Sequence, residues 1–238
     1  MGWYLATDVA GVIDRQRFPG PSDILAAGSQ ILTRGYAGAT LLTQGLYSLR
    51  LVVLGFAAAV ATGVPLGLMM GFSRRFEALV NPAFLLIRPI PPLAWIPLAI
   101  VWLGLADSAK ILVIWFAAFV PAVINSYTGI RNVDPTLVAA AQVHGASRWR
   151  VICDVLIPGA LPMIFTGLRL SLQASWTTLV AAELVGALFG LGKVLSTAYR
   201  DIYPAMIAVG MITVAVLGAL TTKALASVEA RVIRWRQP

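Results

Sequence analysis

The sequence predicts an all-α, polytopic helical membrane protein with five transmembrane helices, and three observations lead there. Of its 238 residues, 59% are hydrophobic and only 12% charged, and a mean hydropathy of +0.83 is foreign to a water-soluble single-core domain. Charge-free runs recur at the length a bilayer needs, since a hydrocarbon core about 30 Å thick takes roughly 20 helical residues. The 18 Lys and Arg outnumber the 10 Asp and Glu, and the excess lies in short connections between apolar runs, where it orients spans. A nucleic-acid partner would need those charges gathered on one soluble face, so that class is excluded. One cysteine, Cys153, rules out an internal disulfide, and with a single histidine, His144, it leaves no Cys/His metal cluster.

Residues 1–48 form an N-terminal segment. Gly2 to Ile13 is apolar apart from Asp8 but too short to span, and it lacks the basic start and small-residue cleavage site of a secretory signal. Phe18 to Asp23 (FPGPSD) reads as a turn into a helix capped by Ser22 or Asp23, and Ile24 to Ser48 as an interfacial helix. A transmembrane domain occupies 49–230, with spans near 51–73, 77–105, 110–130, 158–190 and 202–224. The second span is broken or kinked at Arg88-Pro89-Ile90-Pro91-Pro92, because proline lacks an N–H and pushes its predecessor out of the helical region. The loop 131–158 and a basic tail, 231–238, complete the chain. Arg74 and Arg75, then Arg131, Arg148 and Arg150, then Arg231, Arg234 and Arg236 all fall on one side of these spans. That side is assigned to the cytoplasm, with the C-terminus, in a multi-pass membrane protein.

Catalytic chemistry finds no footing. Gly186 to Lys193 (GALFGLGK) brushes the phosphate-loop pattern, which would need glycine at Ala187 and Ser or Thr at Val194; a dinucleotide fingerprint would need glycine at Leu195. The segment reads as a glycine-rich outer loop. His144 and Cys153 assemble no nucleophile and base, so the expectation is no enzyme, no catalytic residue and no metal.

Three features carry a mechanism. Gly55, Ala59, Gly63, Gly67 and Gly71 recur every four residues and form one smooth helical stripe, open to either a moving or a static helix contact. Asp134-Pro135 is a strong helix start, followed by Ala139, Ala140 and Ala141 on a thin short helix and by Gly145, which permits a sharp turn. That element suits insertion into another protein's groove, and equally a position on lipid headgroups, given Trp149 between Arg148 and Arg150. Charges in or near the bilayer should face protein or water. Arg88, beside the proline break, suits an anionic substrate or a structural pairing. Arg169 and Glu183, fourteen residues apart on one helix, stand about 21 Å apart along it and each needs another partner. The stem of Arg169 can also reach out to headgroups.

Ala139-Ala140-Ala141, Gly145 and Val155-Leu156-Ile157-Pro158 resemble, with the spacing kept, the E-A-A, G, I-x-L-P signature of the membrane subunits of bacterial type I ABC importers. RPIPPLAWIP (88–97), GASR (145–148), PGALP (158–162), GLRL (167–170) and WTTLVAAEL (176–184) are similar to the nitrate/sulfonate/taurine branch of that family, and the likeness runs from Ser48 to Trp235. The resemblance implies a type I ABC importer permease fold, which has six helices in the family, and a place in the bacterial cytoplasmic (inner) membrane. It implies a two-fold dimer with a second copy of the chain, and a cytoplasmic ABC ATPase holding ATP and Mg. A binding protein would deliver cargo from outside, and this chain would bind no cofactor itself. It assigns Ala139, Ala140, Ala141, Gly145, Ala146, Arg148 and Pro158 to ATPase coupling. Arg88, Pro91, Pro92 and Trp95, with Trp176 and Glu183, become candidate lining of the translocation path. Taurine or another alkanesulfonate leads as cargo, with nitrate, bicarbonate and pyrimidine or vitamin precursors open. Two departures stand out. The signature glutamate is Ala139 here, so no salt link to the ATPase is available at that position. The family's first membrane helix is missing, which points to a late-assigned start or a truncated copy and would leave the N-terminus outside. The alternative class, a stand-alone secondary transporter or channel, predicts a repeated half with matching discontinuous helices. The sequence offers one proline-broken segment and no internal repeat.

Overall fold

A computed structural model describes residues 18–234. The expectations for Gly2 to Ile13 and for the last four residues of the basic tail lie outside the described residues. Helix α1 (Pro21–Thr33) begins at Gly20, with Pro21 presetting φ in the first turn and Asp23 reaching back to accept from the Gly20 N–H at 3.0 Å. Gly20 is therefore the N-cap, in place of the predicted Ser22 or Asp23, because the acid sits at the third helical position and its carboxylate accepts from the Gly20 N–H. The expected helix from Ile24 to Ser48 is two helices. Gly35, Ala37 and Gly38 all take positive φ (79°, 55° and 94°), which ends α1 and folds the chain into a tight turn before Thr40 caps the next helix. Residues 41–48 thus belong to the first span.

That span, α2 (Leu41–Phe72), packs along α5 (Asp107–Arg131) through the small-residue stripe. A Cβ on Gly55 would stand 2.5 Å from Ile114 Cγ2, one on Gly63 3.1 Å from Ala122 Cβ and one on Gly71 2.7 Å from Ile130 Cβ, while one on Gly67 would strike the Val123 carbonyl. Ala59, in the same row, is fully buried. The contacts advance in step, so α2 and α5 run parallel with their backbones close. On the other flank of α5, Gly167 leaves room for Asn125, Gly129 leaves room for Ala160, and Ser171 Oγ donates to the Ala118 carbonyl at 2.7 Å. These bind α7 (Arg148–Gly186) antiparallel to α5. The core is thus a sandwich of α2, α5 and α7 joined by small residues.

Between α2 and α5 the chain crosses as α3 (Arg74–Ile87) and α4 (Trp95–Leu103), bent by 72° at the predicted proline break, with a single 3-10 turn (Pro92–Ala94) leading into α4. A short helix α6 (Pro135–Val143) joins α5 to α7, and α8 (Leu191–Arg200) joins α7 to α9 (Pro204–Val232). Helix α9 lies against α7, where Trp176 Nε1 donates to Thr221 Oγ1 at 3.0 Å and Arg169 pairs with Glu229. Four helices (α2, α5, α7 and α9) are long and apolar enough to cross a membrane, and the bent pair α3–α4 taken together has the length and hydropathy of one further span.

Three further boundaries differ from the sequence reading. Helix α7 starts at Arg148 instead of 158, because Ser147 caps it and Val151–Leu156 winds as a π-helix that carries the chain up to Pro158, whose ring and missing N–H disfavour regular α-winding there. It ends at Gly186, and the last three residues of the expected outer loop, Leu191 to Lys193, begin α8 instead. The last span runs to Val232, with Glu229 buried inside it as the partner of Arg169, so Arg169 forms an ion pair where headgroup contact was also open.

Candidate functional site

Helix α6 is made by its ends. Asp134 Oδ1 accepts from the Thr136 N–H at 2.8 Å, which holds the Asp134 carboxyl below the usual carboxylate range, and Pro135 occupies the first helical position. At the other end Ala146 N–H donates to the Ala141 carbonyl at 3.0 Å and Gly145 N–H to the Gln142 carbonyl at 2.9 Å, the paired bonds of a Schellman stop with Gly145 at φ 77°. The alanine-to-glycine spacing read from the sequence is the geometry of that stop. None of the nine residues of α6 is buried; Leu137 and Val143 are 55% and 85% exposed, and Ala139 and Ala140 are exposed beside them. A helix this short does not hold itself together by length. Its caps prepare it, and its apolar surface is left open.

Behind α6 lies an open cavity of about 760 Å³, bounded by Ser73, Arg74 and Arg75 on the α2–α3 turn, by Gln142 and Ala146, and by Arg148. Arg131, at the same end, pairs with Glu77, whose other oxygen accepts from Tyr127 Oη at 2.5 Å. This clamp ties α3 to α5. The sequence reading missed it, although an acid one helical turn into a helix that follows two arginines was the available signal. Pro158 is half-buried where the π-helical turn passes into regular α-helix.

The broken span sets Arg88 at mid-depth of the bundle. A cavity of about 160 Å³ is lined by Arg88, Ile90, Pro92 and Trp95 from the break and by Phe116 and Val120 from the middle of α5. Trp95 stacks on Phe116 with ring centres 4.1 Å apart and planes 11° from parallel, a rigid aromatic wall beside the guanidinium. Arg88 is exposed and forms no ion pair among the described residues, as is Pro91 beside it, which does not line this cavity. The other two candidate path residues stand elsewhere. Trp176 is 5% exposed and committed to α9 through Thr221. Glu183 is 1% exposed and its two carboxyl oxygens are engaged by Ser48 Oγ at 2.8 Å and the Gly192 N–H at 2.7 Å. The structure brings Arg88, Pro92 and Trp95 together and separates them from Trp176 and Glu183. Among the described residues no three His, Cys, Asp or Glu side chains converge as a metal ion would require.

Residues 63–234 match the family model described as binding-protein-dependent transport system inner membrane component. A probable ABC transporter permease protein of Brucella abortus is 38% identical over 238 aligned residues, covering 99% of this chain and 91% of that protein. The taurine transport system permease protein TauC of Escherichia coli is 36% identical, covering 98% of this chain and 84% of its own length. Among solved structures, a chain of the inward-facing MetNI methionine ABC transporter superposes with a TM-score of 0.65 at 21% identity, over 83% of this chain and 96% of that one, which establishes a shared fold.

Proposed function

The chain belongs to the binding-protein-dependent transport system inner membrane component family, as a multi-pass ABC importer permease, and on that premise we propose that a two-fold pair of copies forms the path for a small anionic solute. Alkanesulfonates, taurine foremost, fit best, given the likeness to TauC and an arginine at the break of the second span that forms no ion pair among the described residues. ATP is hydrolysed on a separate cytoplasmic subunit that grips α6 of each copy, and a soluble binding protein delivers cargo from the opposite side. The basic end, with the C-terminus, lies in the cytoplasm by the excess of arginine in its connections.

The single observation that supports this most is α6: capped at both ends by its own chain, burying nothing of its own, and presenting apolar residues to solvent. It hangs between α5 and α7, to which short connections join it, so a push on α6 is delivered to the small-residue sandwich α2–α5–α7 as one body. The broken span, held against α5 by the Glu77 clamp and the Trp95–Phe116 stack, moves with that body and carries Arg88, Pro92 and Trp95. Tilting that body against its counterpart in the second copy alternately opens the cavity beside Arg88 to either face. The docking surface is read by shape, with Ala139 where a glutamate would stand and Arg148 and the neighbouring Arg74 and Arg75 supplying charge.

Cysteine cross-linking tests the assignment. Ala140→Cys, in a Cys153→Ser background, should cross-link to a co-purified ATPase subunit in mild detergent, with a yield that changes between ATP-bound and nucleotide-free states. A chain that purifies without an ATPase and takes up solute on an ion gradient would favour a stand-alone secondary transporter instead.

A further inference from the structure

The glycine-rich segment Gly186 to Lys193 fails as a phosphate loop in the sequence, yet it folds as a cradle, and the carboxyl group it holds is the chain's own. The backbone N–H groups of Gly190, Leu191 and Gly192 lead into the first turn of α8, where no intrahelical acceptor exists for them. Each has found a buried side chain. Gly190 N–H donates to Gln44 Oε1 at 2.6 Å, Leu191 N–H to Ser48 Oγ at 2.8 Å and Gly192 N–H to Glu183 Oε2 at 2.7 Å. Ser48 passes its own proton on to Glu183 Oε1 at 2.8 Å, and the Gln44 amide donates to the Ala37 carbonyl at 3.3 Å. Gln44 and Ser48 are fully buried and Glu183 is 1% exposed. The two glycines answer to the same group: a Cβ on Gly190 would collide with the Glu183 carboxyl, and one on Gly192 with the Glu183 Cβ.

The cradle joins elements that are distant in sequence. Gln44 and Ser48 belong to α2, Glu183 to the last turn of α7, the N–H donors to the entry of α8, and Ala37 to the turn that follows α1. Around them, Tyr36 Oη donates to Asp201 at 2.5 Å in the α8–α9 turn, and Tyr203 Oη to Gln30 of α1 at 3.1 Å. The surface so fixed exposes Leu188, Phe189, Tyr199 and Ile202. Ile202 takes φ 50°, a conformation that a β-branched residue rarely adopts. The same α2 that anchors this surface runs the length of the bundle and ends at Phe72 and Ser73, on the cavity behind α6.

We propose that Glu183 is a positioning residue that latches α8 and the outer turns to α2 and α7, so that events at the outer surface and at the α6 end reach each other through α2. Glu183 then contacts no cargo. Occupancy of the outer surface by the delivering protein biases α8, and the latch carries that bias along α2 to the body from which α6 hangs. The latch itself stands on the structure alone; its effect on ATPase activity rests on the importer reading above.

The test uses the full chain in nanodiscs with its ATPase, the sole cysteine replaced (Cys153→Ser) and spin labels at Leu42→Cys on α2 and Tyr199→Cys on α8, which are 68% and 77% exposed. The inter-label distance should be narrow in every nucleotide state, and should broaden or split in Glu183→Ala and in the milder Ser48→Ala. Glu183→Gln, which keeps an acceptor for Gly192 while Ser48 serves as acceptor for the amide, should restore the narrow distribution. In the same particles the ratio of ATPase rates with and without loaded binding protein should fall about tenfold in Glu183→Ala, the factor one buried hydrogen bond is worth, with half-saturating cargo unchanged. An unaltered distance in both Glu183→Ala and Ser48→Ala overturns the latch. A broadened distance with an unchanged ATPase ratio overturns its coupling role, as does a rise in half-saturating cargo concentration in Glu183→Gln with the distance intact. Absence of any associated ATPase defeats the importer reading and with it the coupling role, while the distance result still decides the latch.

Discussion

The two ends of this molecule treat their backbone and side-chain polarity in opposite ways. At the α8 end, a helix start is closed by three buried side chains, Gln44, Ser48 and Glu183, so its first N–H groups are satisfied within the chain. At the α6 end, the helix closes its own termini with Asp134 and Gly145, while its sides are exposed and the arginines of the cavity behind it, Arg74, Arg75 and Arg148, form no ion pair among the described residues. Internal satisfaction marks structure, and a prepared surface left unsatisfied marks a joint with something else. A glutamate in an apolar span and an alanine run in a loop therefore carry roles opposite to what their composition suggests.

Substitutions break or sharpen this contrast with graded effects. The largest is expected at Gly145. A Cβ there meets nothing within 4 Å, so the only constraint is φ 77°, which a β-branched residue resists. Gly145→Val should abolish transport and stimulated ATPase activity while membrane insertion stays intact, whereas Gly145→Asn, tolerant of that φ, should retain most activity. Equal activity in both variants would detach α6 from coupling. Next comes the sandwich. Gly67→Leu drives a side chain into the Val123 carbonyl and Ser126, and should lower the stability of the detergent-solubilised chain by about 2–3 kcal/mol, read as a drop in Tm. A Tm within error of wild type would show that α2 and α5 separate easily, as a sliding contact would.

Smaller effects separate path from frame. Arg88→Ala should reduce uptake of an anionic substrate by about tenfold, the cost of one unpaired charge contact, and leave the yield of assembled complex unchanged. Equal loss of both would make Arg88 structural. The smallest change is expected for Asp134→Ala, which removes a cap from an exposed helix and should weaken ATPase association by a few-fold at most. Because the Thr136 N–H lowers the Asp134 carboxyl below its ordinary value, the cap contributes fully above the unfolded value of about 4 and fades as pH falls through the folded value. ATPase association should thus be flat with pH around neutrality and should lose only the cap's share in acid. The alanine variant should lack that acid limb.

Much of this fold is legible in the chain because hydrophobicity and proline act locally. The charge-free runs, the break at Arg88 to Pro92 and the Asp134 to Gly145 helix all follow from neighbours in sequence. What stays hidden depends on pairings across long separations. The match of Glu183 with Ser48 and Gln44 spans more than a hundred residues, and no local pattern announces that GALFGLGK is folded around a carboxylate. Likewise Arg169 gives no sign in sequence that its partner is Glu229, sixty residues on. The turn at Gly35 to Gly38 was open to a local reading, and its glycines were the signal passed over within an apolar stretch.

The central claim is that this chain is a passive path moved from outside itself, and uptake by reconstituted vesicles tests it directly. Vesicles carrying the chain, the ATPase, loaded binding protein and internal ATP should accumulate a labelled alkanesulfonate, and vesicles lacking only the ATPase should show none under any imposed ion gradient. Uptake that persists without the ATPase would contradict the account.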